Sequence, residues 1–365
     1  MMNILLLAPG IHDYCVEYAN ALVSRANVTM VAPARLFGPY QPFVHSAVDL
    51  RLLDWPRHRS PANLLFLPRL IRMVERSPPS LVHVLSEGVV WLNLALPSFR
   101  KYGLVTTMHD VTYHPDDSWR QPRQIVDYFI ERSNRVIVHG ERLKIDAERR
   151  YPALVGRIDV LPHLQLRRYL NIARRYGLRR SDDPAIRILF FGRILGYKGL
   201  DFLIRSIPRV SSRFENVRVV IAGEGKRMHS YGKLILNDRF FDIRNRRIPD
   251  EETAQLFLDA DIVVLPYLAA SQSGVLTIAN TFGKPLIVTD VGELGQTIEH
   301  ERTGLVIPPR DEQALADAII RLISDAPLRN RLGVASRDVA ERSASPQVIA
   351  ARAIEIYQRA AKGPR

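Results

Sequence analysis

Ile188-Leu189-Phe190-Phe191-Gly192-Arg193 is a short apolar run that breaks off at a glycine and an arginine. Tyr197-Lys198-Gly199 then opens a stretch, GLDFLIRSIPRV, with apolar residues at helical spacing. A strand feeding at once into a helix is the unit of a doubly wound α/β sheet, whose strand ends border the crevice where ligands bind. The turn between them carries two fixed cations, Arg193 and Lys198. The first amides of the following helix add partial positive charge, so an anion such as a diphosphate is the expected guest. Arginine grips phosphate oxygens with a planar fork, while lysine brings a compact charge from another direction. The plainer alternative is that both are solvated surface cations.

A second stretch, from Asp261 to Asp311, reads strand, turn, helix, strand, turn, strand. Its first turn is Ser271-Gln272-Ser273-Gly274. Ser271, Gln272 and Ser273 offer hydroxyl and amide hydrogens, and Gly274 and Val275 offer bare backbone amides at a helix start. A second anion cradle is expected there. Alternatively Ser273 only caps the helix, a common use of serine, and the two roles are compatible.

The N-terminal half has the same build. MNILLLAPG, NVTMVAP, LVHVLS (81–86), GLVTTMHD (103–110), RVIVHG (135–140) and RIDVLPHL (157–164) read as strands separated by helical stretches, which predicts a parallel sheet with right-handed crossovers. The Arg-rich segment 165–185 reads as a linker helix and loop, and Ser345-Pro346 opens a last helix. A length of 365 residues fits two domains, and 47% hydrophobic residues fits ordinary globular cores. Cys15, the one cysteine, excludes an internal disulfide. The first residues do not read as a signal peptide, and no apolar run reaches the ~18 residues of a membrane span, so a cytoplasmic location is expected.

FGR…YKGLD, VVIAGEG (219–225), DADIVVLPY (259–267), GKPLIVTDVGEL (283–294) and TGLVIPPRD (303–311) occur in one order across residues 186–345. This half resembles the nucleotide-sugar-binding half of a family 4 glycosyltransferase, a retaining enzyme of the GT-B fold. The resemblance implies an α/β chain of two Rossmann-like lobes facing a cleft. Residues 1–165 would form the acceptor-side lobe, 166–345 the donor lobe, and a helix over 346–362 would cross back to the first. It also implies that Arg193 and Lys198 contact the donor diphosphate, with Gly192 and Gly223 among the donor-binding residues. The stretch from Arg244 to Ile248, with Arg247 and Ile248, would border the nucleobase, and Ser271 to Val275 would meet phosphate and sugar.

His109-Asp110, at a strand end, resembles the family's His-Asp pair, in which the His lies beside the transferred sugar and hydrogen-bonds a hydroxyl or stabilises charge. Asp110 can instead cap a turn. On the acceptor side the family's glycine-rich loop is reduced to Pro9-Gly10-Ile11-His12, which assigns Gly10 and His12. His139 stands where a small hydroxyl residue is expected. It approaches acceptor or phosphate, or is merely a helix-start residue. His83, His114 and His163 are weaker candidates. There is no close Cys/His cluster and no Asp-x-Asp pair of the kind that holds a divalent ion against a diphosphate, so no metal and no cofactor is expected. The implied donor is a nucleotide-diphosphate sugar, and the implied acceptor a glycan or lipid-linked acceptor in surface polysaccharide or glycolipid synthesis.

One departure bears on activity. The family usually carries two glutamates eight positions apart, and here they fall at Ala270 or Ser271 and at Ile278 or Ala279. None is acidic. This matches a branch with an SQSG turn, and it leaves open a catalytically silent nucleotide-sugar-binding subunit; a GT-B epimerase or phosphorylase shares the architecture.

The net charge of +13 needs a partner. No nucleic-acid reader motif is present, so no specific nucleic acid is expected. Residues 51–76, RLLDWPRHRSPANLLFLPRLIRMVER, interleave Arg51, Arg57, Arg59, Arg69, Arg72 and Arg76 with Leu, Trp and Phe. Such a segment sits at an anionic membrane surface as a peripheral anchor, or is a domain helix with a basic wet face.

Overall fold

A computed structural model describes residues 1–57, 60–87, 89–112 and 122–362. The chain divides into two compact units. One holds the chain up to Leu164 and the segment from Ser343 on, and the other spans Gln165–Arg342.

The first unit carries seven strands: β1 (Met2–Leu7), β2 (Ala26–Pro33), β3 (Val48–Leu53), β4 (Leu81–Val84), β5 (Gly103–Thr107), β6 (Arg135–Val138) and β7 (Ile158–Val160). All neighbours pair in parallel, in the order β3-β2-β1-β4-β5-β6-β7. Register puts Ile4 opposite both Val28 and Leu81. Strands β4 and β5 are buried along their whole length, as near-continuous apolar runs must be when helices cover both faces of a sheet. On one face lie the helices His12–Leu22 and Pro346–Lys362, which contribute Tyr14, Tyr18, Ile349, Ala353, Ile356 and Tyr357 to a single core. A Cβ on Gly103 would lie 3.2 Å from the Ala361 backbone, so the last helix runs close over β5.

β3 is a strand that the hydrophobic pattern did not announce. Arg51 was grouped above with an interfacial segment, but it lies in β3 and pairs with Asp49, two residues back on the same face, at 2.7 Å. Edge strands carry such charges on a face that meets water, which blurs their apolar signal.

The second unit has β8 (Ile186–Phe191), β9 (Val217–Ala222), β10 (Phe241–Arg244), β11 (Ile262–Leu265), β12 (Leu286–Thr289) and β13 (Leu305–Ile307). They are parallel, in the order β10-β9-β8-β11-β12-β13. Leu200, Leu203, Ile204, Ile207 and Val210 of the helix Leu200–Ser211 recur at helical spacing and join Leu315, Ile319 and Leu322 of Glu312–Ser324 in its core. Strand order reverses between β1 and β4 in the first unit and between β8 and β11 in the second. Ligands of open parallel sheets bind at such switch points, beyond the strand C-termini.

Candidate active site

In the second unit the switch point brings together the two stretches singled out in the sequence. β8 ends at Gly192-Arg193, and a single helical turn, Gly196–Lys198, leads through Gly199 into the helix Leu200–Ser211. Gly199 takes φ 64°, and a Cβ there would lie 2.0 Å from the Pro266 carbonyl oxygen, so the turn after β8 is seated on the residue that follows β11. Only glycine fits. Gly192 and Gly223 repeat the pattern: φ is 102° and 142°, and a Gly223 Cβ would meet the Gly192 carbonyl oxygen at 2.1 Å.

Lys198 is 8% exposed. Its Nζ lies 2.9 Å from where a Gly192 Cβ would stand and 5.3 Å over the Tyr267 ring. Burial, and then the Arg193 charge, push its pKa down to about 7. Among the described residues no carboxylate offsets these two influences on the ammonium. Arg193 is exposed.

Beyond β11, Tyr267 is buried and its hydroxyl is pushed up to about 12 by burial, with Ser273 and Arg193 pulling the other way. Its OH lies 3.4 Å from Ser273 Oγ. Ser273 occupies the N-cap position of the helix Gly274–Thr281 with extended backbone, yet its side chain makes no cap bond. Gly274 and Val275, in the first turn, have no intrahelical acceptor for their amides by position. Gln272 Oε1 is buried without a partner among the described residues, and Ser271 is buried.

Glu293 was not singled out in the sequence. It is 5% exposed, its amide donates to the Ser271 carbonyl at 3.3 Å, and its neighbour Gly292 (φ 49°) leaves no room for a Cβ against Ala270. The loop after β12 is therefore packed on the SQSG turn, with an acid in it. The signal was the glutamate inside VGEL, next to a glycine. At the two positions where the family carries its second glutamate, Ile278 and Ala279 are buried apolar residues of the helix. Of the stretch from Arg244 on, Arg244 is held by Asp242 at 2.7 Å and Glu252 at 2.9 Å, Arg247 is exposed, and Ile248 is half-buried.

The first unit gathers histidines. His83 lies in β4, while His109, His139 and His163 follow β5, β6 and β7, so parallel neighbours deliver them to one place. His109, 2% exposed, has both ring nitrogens engaged, Nε2 with the Leu85 carbonyl at 3.0 Å and Nδ1 with His139 Nε2 at 3.1 Å. Reaching a sugar hydroxyl would require giving up one of these bonds. The backbone amides of His109 and Asp110 both donate to the Glu87 carboxylate at 2.9 Å. His139 is not a helix-start residue. The helix begins at Glu141 behind Gly140, and the ring turns inward with Nδ1 on the Leu161 carbonyl at 2.9 Å.

His163 packs against His139 and Tyr14 and is held down to about 4, chiefly by burial. His83, between the Tyr357 and Thr107 hydroxyls, is held down to about 3 for the same reason. His114 lies outside the described residues. After β1, Ile11 rather than a glycine takes the left-handed backbone (φ 49°, ψ 52°), and Cys15 Sγ donates to the Gly10 carbonyl at 3.1 Å. The His12 ring packs on Phe37 and Tyr40 with Nε2 buried and unpartnered among the described residues.

The basic segment resolves into a helix, Asn63–Arg76, whose Phe66, Leu67, Leu70 and Val74 pack into the first unit. Trp55, counted above with the interfacial residues, packs inward on Phe66 and Trp91. Leu64 and Leu65 stay 68% and 72% exposed, alongside exposed Arg69, Arg72 and Arg76. Arg59 lies outside the described residues. Among the described residues no helix is long and apolar enough to cross a membrane. No group of three His, Cys, Asp or Glu among them is placed to hold a metal ion.

Two parallel-sheet Rossmann-like units, the second with glycine-lined turns at its switch point, define the GT-B class. Residues 9–164 match the model of Glycosyltransferase Family 4, and residues 185–325 that of Glycosyl transferases group 1. Both halves of the chain thus match glycosyltransferase family models, and the fold is that of the GT-B glycosyltransferases. It is 26% identical to a D-inositol 3-phosphate glycosyltransferase of Pseudarthrobacter chlorophenolicus, over 92% of this chain and 87% of that protein. An uncharacterised glycosyltransferase of Methanocaldococcus jannaschii is 30% identical over 52% of this chain and 48% of its own length, so the chain spans about half of that relative. Sucrose-phosphate synthase from Thermosynechococcus elongatus shares the fold (TM-score 0.75, 19% identity, 98% of this chain and 99% of that one). So does Anabaena HepE, solved in complex with UDP-glucose (TM-score 0.73, 16% identity, 98% and 100%).

Proposed function

We propose that the protein is a retaining, metal-independent hexosyltransferase that takes a sugar from a nucleotide-diphosphate sugar and delivers it to a glycan or lipid-linked acceptor. The observation that carries this reading is Lys198: a buried ammonium beside Arg193, at the switch point of its sheet, with no carboxylate of the described residues among the influences on it. A buried cation is costly unless paired, and a ligand diphosphate is the partner that fits. The UDP-glucose bound by Anabaena HepE supports the same guest.

As the anomeric carbon gains oxocarbenium character, charge grows on the departing diphosphate, and Arg193 and Lys198 act where that charge appears. The acceptor hydroxyl attacks the same face and passes its proton to the leaving phosphate, so configuration is retained and no protein nucleophile is needed. The Gln272 amide oxygen and the Ser271 and Ser273 hydroxyls are suited to sugar hydroxyls in place of the family's glutamates. Gly10, His12, Asp110 and His139 are the first unit's acceptor-side groups.

The specific observation behind a second reading, a silent nucleotide-sugar-binding subunit, is the apolar pair Ile278 and Ala279. Calorimetric titration with UDP-, GDP- and ADP-sugars, followed by transfer assays, separates the two. Transfer to any acceptor supports the enzyme, binding without transfer supports the subunit, and no binding at all removes both. The exposed Leu64 and Leu65 among arginines are the surface we assign to an anionic bilayer, as a peripheral attachment on the cytoplasmic face that suits a lipid-linked acceptor.

A further inference from the structure

His109 and His139 are strung between two carbonyls. In order, the contacts are Leu161 O with His139 Nδ1 at 2.9 Å, His139 Nε2 with His109 Nδ1 at 3.1 Å, and His109 Nε2 with Leu85 O at 3.0 Å. A carbonyl oxygen only accepts, so His139 Nδ1 and His109 Nε2 must each carry a hydrogen. If both rings were neutral, the two remaining nitrogens would face each other at hydrogen-bond distance as bare lone pairs. Three hydrogen bonds over four nitrogens need three protons, one more than two neutral imidazoles hold.

We propose that His139 is a positioning residue that keeps His109 doubly protonated: the two rings share a third proton, and the pair carries one positive charge at the ends of β5 and β6. The catalytic meaning of that charge rests on the transferase reading given above; the proton count does not.

The surroundings decide where the charge sits. His139 is held well below the usual histidine range by burial, and then by His109 and His163, so the extra proton resides on His109. The countercharge is Glu87, after β4, whose carboxylate accepts the amides of His109 and Asp110. Burial holds the Glu87 carboxyl above the usual carboxylate range, with Asp110 adding to the rise and the His109 charge and the His109 amide opposing it. The remaining ionisable groups facing the pair are not competing cations: His83 of β4 and His163 after β7 are held neutral by burial, and Tyr14 and Tyr18 of the first helix and Tyr357 of the last have hydroxyls raised by burial. Tyr14 sets its ring edge against both His109 and His139, at centroid distances of 5.1 Å and 5.4 Å, which fixes the ring planes. A doubly protonated His109 has an Nδ1 proton that it can turn from His139 to an incoming oxygen while remaining bonded to Leu85.

The test is nitrogen NMR of the full chain labelled at histidine, near neutral pH, without donor or acceptor, so its outcome does not depend on the transferase reading. The wild type is expected to show His109 with both ring nitrogens protonated and His139 with a bare Nε2. In His139→Gln the amide oxygen can still accept from His109 Nδ1, and the double protonation is retained. In His139→Phe it is lost and one ring proton remains. A His109 with a single ring proton in the wild type overturns the proposal, and because this needs no variant it decides the matter even if His139→Phe does not fold. With transfer established, kcat is expected to drop in His139→Phe and to recover in His139→Gln at unchanged donor KM. Equal kcat in all three would leave His139 no positioning role.

Discussion

Raising the pH is expected to weaken donor binding through Lys198 alone. With the ammonium held down to about 7 in the free protein, and only the charged form able to pair with a diphosphate, affinity follows the protonated fraction. That fraction falls about tenfold between about pH 6 and 8 and about tenfold again by 9, or ~1.4 kcal/mol for each step. Binding at about pH 8 should therefore take up close to one proton. Titration calorimetry of a nucleotide sugar, whose diphosphate does not itself titrate in this range, reads the affinity; repeating it in buffers of different ionisation enthalpy reads the proton. Lys198→Met should bind more weakly at low pH and lose the dependence. Folding runs the other way. The folded value lies below the ordinary 10.5, so the unfolded chain binds the proton more tightly, and the protein gains stability as pH rises from about 7 towards 10.5. Thus a general loss of structure at high pH cannot mimic the binding effect. An affinity that is flat from about pH 6 to 9, or a slope that survives in Lys198→Met, would refute the reasoning.

Arg193→Ala should lower kcat by roughly 10²-fold at saturating donor, as loss of one transition-state donor does, and unchanged turnover removes Arg193 from the chemistry. Gly199→Ala should destabilise the second unit by ~2 kcal/mol or more, because a left-handed φ is joined to a clash with the Pro266 carbonyl; an unshifted melting temperature contradicts this seating. Tyr357→Phe removes the hydroxyl that bonds both Tyr18 at 2.9 Å and His83 at 2.7 Å. It should cost ~2 kcal/mol in denaturant unfolding, since two buried polar groups lose a partner. Leu64→Glu with Leu65→Glu should abolish sedimentation with anionic vesicles at low salt, and equal sedimentation of the variant excludes this face as the contact.

Both sheets were legible in the sequence where strands are central, because a strand covered on two faces is an uninterrupted apolar run, as in Ile188–Phe191 or Leu104–Val105. β3 was not, since Asp49 and Arg51, paired on one face, interrupt its apolar run. Trp55 and the arginines after it read as one amphipathic stretch although the chain turns between them: Trp55 belongs to the core under the helix, and Leu64 does not. In the donor half, glycines and cations adjacent in sequence are adjacent in space, so the Gly192 to Lys198 turn could be read directly. The histidine pair could not, because thirty residues and a crossover separate His109 from His139. A uniform sign was present all the same: His109, His139 and His163 each follow an apolar strand within three residues, and parallel neighbours must bring such positions together. Glu293 was not legible because it lies a strand and a loop beyond the positions of the family's glutamates, and only the fold brings that loop back onto the SQSG turn.

The role given to Lys198 and Arg193 is decided by a crystal structure of the chain with a bound nucleotide sugar. Diphosphate oxygens are expected within hydrogen-bond reach of Lys198 Nζ and the Arg193 guanidinium, with the first-turn amides of Gly274 and Val275 facing the phosphate or the sugar. A nucleotide seated elsewhere, with both cations turned to solvent, would contradict it.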